Sequence, residues 1–273
     1  VDMDHDGVDE IAVTYKYIDK NKGVGCLILK QQGDSYKKVF DELFLAEKLD
    51  WAFLDDLAGD QNLELLIGIG INDYCYCKIY SFNQEIETIY KGDYSVLKLI
   101  ENPDNQKKTI AMLTMKDETY ANKQIIQGLY GKLMRWEGDG FALAEEAYEG
   151  NYDLLEPYYR QELEKSPNSV VAIYFFAEWM VNCKRPEEAL KLLETIQKDE
   201  SKQFANYMIK AGILESQALS DLGRHEEAEE KMQALIVGIE DRRYTFMDYK
   251  LPYLYLVLGR NYEASGHPEK ARE

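Results

Sequence analysis

Along residues 1–148 apolar positions alternate with polar ones or gather in short runs, with Gly, Asp and Asn between them. That period predicts strands. Three hairpins stand out: residues 26–30 and 36–40 around a turn at Gly33-Asp34, 77–82 and 86–90 around Asn83-Gln84, and 132–136 and 141–143 around Gly138-Asp139-Gly140. Their turns recur about every 50 residues, which points to a repeated unit. A loop, a strand, a hairpin and a returning strand such as residues 49–53 make four strands per unit. From about Gly150 the period becomes helical. Pro167-Asn168-Ser169 supplies a breaker and a cap before residues 170–183, and Pro186 opens the next helix as a first-turn proline. Starts of the same kind follow at Gly223 and Gly266. The equivalent alanines Ala189, Ala228 and Ala271 lie about 40 residues apart, a spacing that implies paired helices in a repeat.

The strongest chemical signal is at the start of the chain. Asp2, Asp4 and Asp6 alternate, Gly7 supplies a turn, and Glu10 follows before the strand Ile11-Ala12-Val13. A hard cation takes six to eight oxygens, and alternating carboxylates around a turn can converge on one. The side chains of Asp2, Asp4, Asp6 and Glu10, with the carbonyl of Val8, are the candidate ligands, and Ca2+ is the expected ion. An EF-hand is excluded, because its twelfth loop position falls on Val13, in a strand. Weaker copies follow. Asp56, Asp60 and Glu64 precede Leu65-Leu66-Ile67 and form a second candidate site, while Glu101, Asn105 and Thr109 keep only the following strand.

These residues carry two family resemblances. The Asp-rich loop and its strand resemble the FG-GAP (VCBS-type) repeat of integrin-alpha-like β-propellers, whose loops between blade strands hold calcium. Tyr255, Leu258, Gly259, Tyr262, Gly266 and Ala271 stand at the spacing of a tetratricopeptide (TPR) repeat; Gly150, Tyr152, Tyr159 and Pro167, with Phe176, Ala177 and Ala189, resemble another. The expected fold class is therefore a β + α two-domain chain. A partial array of about three propeller-like, four-stranded blades spans residues 1–148, and an α-helical TPR solenoid spans 149–273. The TPR resemblance implies a concave face for a protein or peptide partner, lined by Val171, Tyr174, Glu178, Tyr253, Leu256 and Arg260.

Composition narrows the functions. A net charge of −18 argues against nucleic acid, which needs clustered Lys and Arg. No apolar run approaches the ~18 residues of a transmembrane helix. The four cysteines do not make a disulfide framework for 273 residues, and Cys75 and Cys77, two apart in a strand, read as packing. His5, His225 and His267 adjoin no nucleophile motif, and no phosphate-binding glycine loop occurs. The expectation is a non-catalytic, calcium-stabilised scaffold. Its place is extracytoplasmic, where millimolar calcium fills even a modest site, and lipid-anchored through a segment ahead of residue 1. The alternatives are a glycan-acting enzyme with its site in a propeller funnel, and an intracellular TPR adaptor.

Overall fold

A computed structural model describes residues 2–3, 6–17, 23–71, 74–82, 86–102, 107–119, 125–138, 140–196, 205–241 and 250–272. The strands are β1 (Glu10–Tyr17), β2 (Gly23–Gln32), β3 (Ser35–Phe44), β4 (Lys48–Asp55), β5 (Glu64–Ile71), β6 (Tyr74–Ser81), β7 (Glu87–Tyr94), β8 (Val96–Glu101), β9 (Lys108–Thr119), β10 (Ile125–Trp136) and β11 (Phe141–Leu143). The helices are α1 (Glu156–Lys165), α2 (Val170–Asn182), α3 (Pro186–Leu193), α4 (Ala205–Asp221), α5 (His225–Glu240) and α6 (Leu251–Ala264). The chain divides into two compact units, one of Val1–Met115 with Lys132–Glu145, the other of Lys116–Gly131 with Glu146–Glu273.

In the first unit the strands form antiparallel sheets in the orders β1-β2-β3 and β4-β5-β6-β7, and a third sheet has the order β11-β10-β9-β8. The first two sheets pack through Cys26, Ile28 and Phe44 on one side and Leu65, Ile67, Ile69 and Tyr80 on the other. The opposite face of the second sheet, with Leu66, Cys77 and Ile79, meets Ile110, Met112 and Met134 of the third. Cys26 and Ile28 thus stand where Cys77 and Ile79 stand one sheet later. Two-sided burial explains why β5 reads Leu-Leu-Ile rather than alternating.

The hairpins fall at the predicted turns, although residues 83–85 and Asp139 lie outside the described set. The returning strand does not close the first unit. It is β4, and it pairs with β5 in the next sheet, from Lys48↔Gly70 to Asp55↔Glu64. Gly68 is the reason. The indole of Trp51 lies where a Cβ on Gly68 would be, with the Tyr94 hydroxyl 2.5 Å from that position, so only a residue without a side chain lets β4 dock.

In the second unit the predicted helix starts hold. Ser169 caps α2 by accepting from the Ala172 N–H at 3.2 Å, Pro186 opens α3, and α5 follows Gly223, which has a φ of 73°. After Gly266 the described residues include a short 3-10 turn, at Lys270–Arg272. Tyr159 stacks on Phe176 at 5.2 Å, and its hydroxyl accepts from the Gly131 N–H of β10 at 2.7 Å. Val171 and Phe175 of α2 lie over Gly128 of the same strand. Farther along, α4, α5 and α6 share a core of Ile209, Met232, Ile236, Leu254 and Leu258. Asn261 donates to Ser216 at 2.9 Å, and the Ser216 hydroxyl donates to the Ala228 carbonyl at 2.9 Å.

These findings overturn the expected fold class. The described residues form three antiparallel sheets of three to four strands and six helices, with no TPR-like solenoid. Three features depart from that expectation. The described helices run from 8 to 17 residues, so they do not share one length. The face of α2 that a solenoid would leave open is packed on the β10 backbone. The first sheet also has three strands where the others have four.

Because the Trp51 indole fills the space over Gly68, Gly68→Ala is expected to cost about 1–3 kcal/mol through forced overpacking. Urea unfolding of the two proteins, compared at their midpoints, checks this.

Candidate functional site

The two acid loops of the first unit are built alike. In the first, Glu10 is 5% exposed and its Oε2 accepts from the Met3 N–H at 2.7 Å. Asp2 Oδ2 accepts from the Gly7 N–H at 2.9 Å, and Asp6 Oδ1 from the Val8 N–H at 3.0 Å. In the second, Glu64 Oε2 accepts from the Leu57 N–H at 2.8 Å. Asp56 Oδ2 accepts from the Gln61 N–H at 2.9 Å, and Asp60 Oδ1 from the Asn62 N–H at 3.0 Å. Each of these three bonds has its counterpart at the same sequence separation. Reaching back seven residues, each glutamate holds down an apolar plug, Met3 or Leu57, that is buried in the core. Gly7 has a φ of 85°; Gln61 occupies the same turn at 72°, a conformation that costs an L residue about 1 kcal/mol.

The loops differ in charge compensation. Lys30, opposite Glu10 in the β1–β2 ladder, places its ammonium 2.6 Å from Asp6 Oδ2 and 3.2 Å from Glu10 Oε1. In the second loop the corresponding residue, one step beyond the Leu65–Tyr80 pair, is Ser81. No ammonium is supplied from that position. Burial, opposed by the Leu57 N–H and aided by Asp60 and Asp56, pushes the Glu64 carboxyl up to about 7. The sequence ranked the first loop above the second as a calcium site; the structure gives the first a counter-charge from Lys30 and the second none from the equivalent position. The signal was readable: a lysine stands opposite one glutamate and a serine opposite the other.

As a calcium site the first loop fits incompletely. Asp2 Oδ1 is buried with no hydrogen-bond partner among the described residues, as a vacant ligand oxygen would be. Yet Asp2 Oδ2, Asp6 and Glu10 are engaged by amides and by Lys30, and the Val8 amide closes on Asp6. Asp4 and His5 lie outside the described residues. Among those described, no three acidic, His or Cys side chains converge closely enough to hold a metal ion. Asp56, Asp60 and Glu64 are likewise turned toward backbone amides. In the third copy Glu101 ends β8, Thr109 is buried and Asn105 is outside the described set.

The six residues expected on a partner face separate into two groups. Val171 is fully buried, out of a partner's reach. Tyr174 is half-buried, donates to Glu178 Oε1 at 2.6 Å and packs edge-on against Tyr207. Tyr253, Leu256 and Arg260 are exposed and share one side of α6, while Leu254 and Leu258 face the core. Of the histidines, His225 Nδ1 lies 3.3 Å from the Ser220 hydroxyl across the α4–α5 turn, and His267 faces Glu269. Burial pushes the Cys26 thiol up to about 11 and the Cys77 and Cys183 thiols up to about 12, which suits packing rather than nucleophilic use. No described helix is long and apolar enough to cross a membrane. Comparison with protein-family models, curated proteins and solved structures finds no match.

Glu64 gives a pH prediction. Its carboxyl titrates higher in the folded chain than in the unfolded one, near 4.3, so the native state binds the extra proton. The associated stability is complete below the unfolded value and is lost as pH rises through about 7. Glu64→Gln, which can still accept from Leu57, is expected to flatten this loss and to exceed the parent in stability at pH 8. Thermal midpoints from pH 4.5 to 8 measure it.

Proposed function

We propose that the chain is a non-catalytic, extracytoplasmic interaction module whose β unit is a structural platform and whose helical unit presents the partner-binding surface. The observation that carries this reading is the stripe on α6. Tyr253 and Leu256 are about half exposed, at 51% and 52%, and Arg260 follows one turn later. An aromatic, a leucine and an arginine together are the side chains that dominate protein interfaces. A protein or peptide segment with apolar side chains and a carboxylate to meet Arg260 fits them.

Calcium enters this reading as a structural ion for the first acid loop. The orphaned Asp2 Oδ1 supports it, and the seated Lys30 ammonium sets the condition: the ion and the ammonium compete for Asp6 and Glu10. An ion there would neutralise the loop carboxylates. Abundant calcium outside cells is what motivates the extracytoplasmic placement.

Two outcomes are expected. Calcium raises the thermal midpoint of the protein, by more in Lys30→Gln than in the parent, and has no effect in Asp2→Asn; identical midpoints with and without the ion in all three would remove calcium from the reading. Replacing Tyr253 and Leu256 by Ser leaves the circular dichroism spectrum unchanged but weakens binding to a captured partner by about tenfold or more, or roughly 1.4 kcal/mol. Unaltered affinity in that double variant would move the partner site elsewhere.

A further inference from the structure

Two lysines cross successive seams of the β unit, and they meet different chemistry on the far side. Lys78 of β6 reaches from the second sheet to β3 of the first. Its ammonium lies 2.6 Å from Glu42 Oε1 and 5.3 Å from the centre of the Phe44 ring. Lys132 of β10 reaches from the third sheet to β7 of the second. Its nitrogen lies 5.7 Å from the centre of the Tyr90 ring and 3.5 Å from the Tyr90 hydroxyl. Glu42 stands opposite Cys26 in the β2–β3 ladder, whereas the residue opposite Cys77 in the β6–β7 ladder is Gly92. Because Cys26 and Cys77 hold equivalent places, the carboxylate that Lys78 meets is absent where Lys132 arrives. Tyr90 fills the space instead, with its hydroxyl 2.7 Å from where a Cβ on Gly92 would be.

Lys132 therefore faces groups with no charge to offer. The Tyr90 hydroxyl donates to Met112 Sδ at 3.2 Å. Burial pushes that phenol up to about 12, as it does the Cys77 thiol, so both keep their protons. Asp93 is exposed and stands opposite Tyr76, so it points away from the face that Gly92 and Lys132 share. Among the described residues no carboxylate pairs with Lys132, and burial of the half-buried amine lowers its pKa from the ordinary lysine value.

We propose that Lys132 is a covalent attachment site for small aldehydes. The amine nitrogen attacks the carbonyl carbon, a proton moves from nitrogen to the former carbonyl oxygen, and the carbinolamine loses water to leave an imine. The step needs no oxidant, reductant or activated leaving group. A desolvated lysine without a counter-charge is the form in which this side chain acts as a nucleophile. The Tyr90 phenol stands beside the nitrogen and hands a proton to the departing oxygen; the iminium N–H then restores it. Tyr90, Met112 and Cys77 carry no charge, which suits a small neutral carbonyl compound rather than an anion. Lys78, with Glu42 in place, is the built-in comparison.

The probe is acetaldehyde with cyanoborohydride, applied to the whole 273-residue chain. The hydride reduces each imine to an ethylamine, and mass spectrometry of peptides assigns it to its lysine. Near neutral pH, Lys132 is expected to be ethylated about fivefold or more faster than Lys78, with the ratio shrinking as pH rises toward about 10. Glu42→Gln removes the carboxylate from the other seam and is expected to speed Lys78 by about threefold or more, with Lys132 unchanged. Tyr90→Phe is expected to slow Lys132 by about threefold or more, with Lys78 unchanged. Equal rates at the two lysines of the parent, a ratio that stays constant with pH, or a Lys78 rate untouched by Glu42→Gln would overturn the proposal. An unaltered Lys132 rate in Tyr90→Phe would remove the phenol from it.

Discussion

A buried carboxylate bonded to an amide seven residues earlier is the constraint on which the β unit rests. Glu10 and Glu64 each tie the start of an acid loop to the first residue of a strand. The tie fixes where Met3 and Leu57 enter the core, and from that point the ladder register follows. Removing a charged group from water is costly unless it is compensated, and the copies meet that cost in different ways. Lys30 supplies a counter-charge to the first. In the second the carboxyl tends to keep its proton, with Glu64 titrating near 7. In the third, Thr109 removes the charge altogether and the strand persists.

That series shows how a sequence repeat and a physical repeat can diverge. The loops were legible because spacing is kept: Asp56, Asp60 and Glu64 follow the order of Asp2, Asp6 and Glu10, and their hydrogen bonds prove equivalent. What the spacing does not show is the use of the oxygens. A carboxylate that ligates a cation and one that caps an amide look alike in a sequence, and Lys30 becomes relevant only through its place across the β1–β2 ladder.

The helical half was legible at its boundaries and not in its assembly. Ser169, Pro186 and Gly223 act locally, on caps and φ values, so they place helix ends correctly. Assembly depends on contacts distant in sequence. Gly131 reaches the Tyr159 hydroxyl, and Gly128 receives Val171 and Phe175, across about thirty to fifty residues of intervening chain. Nothing in the helical period of residues 170–183 reveals that one face is met by a strand rather than by solvent. Tyr253 and Leu256, on a helix with no such cover among the described residues, are about half exposed.

Trp51 over Gly68 has a consequence for folding fidelity. A chain built from similar sheets offers each strand more than one plausible neighbour, and β4 lies between two strands that both begin with glutamate and continue with apolar residues. Shape breaks the tie: the indole is admitted by Gly68 and refused by Thr14. One aromatic ring and one missing methyl thus act as a sorting key, penalising the swapped pairing during folding. The repeats can resemble one another elsewhere because they differ here.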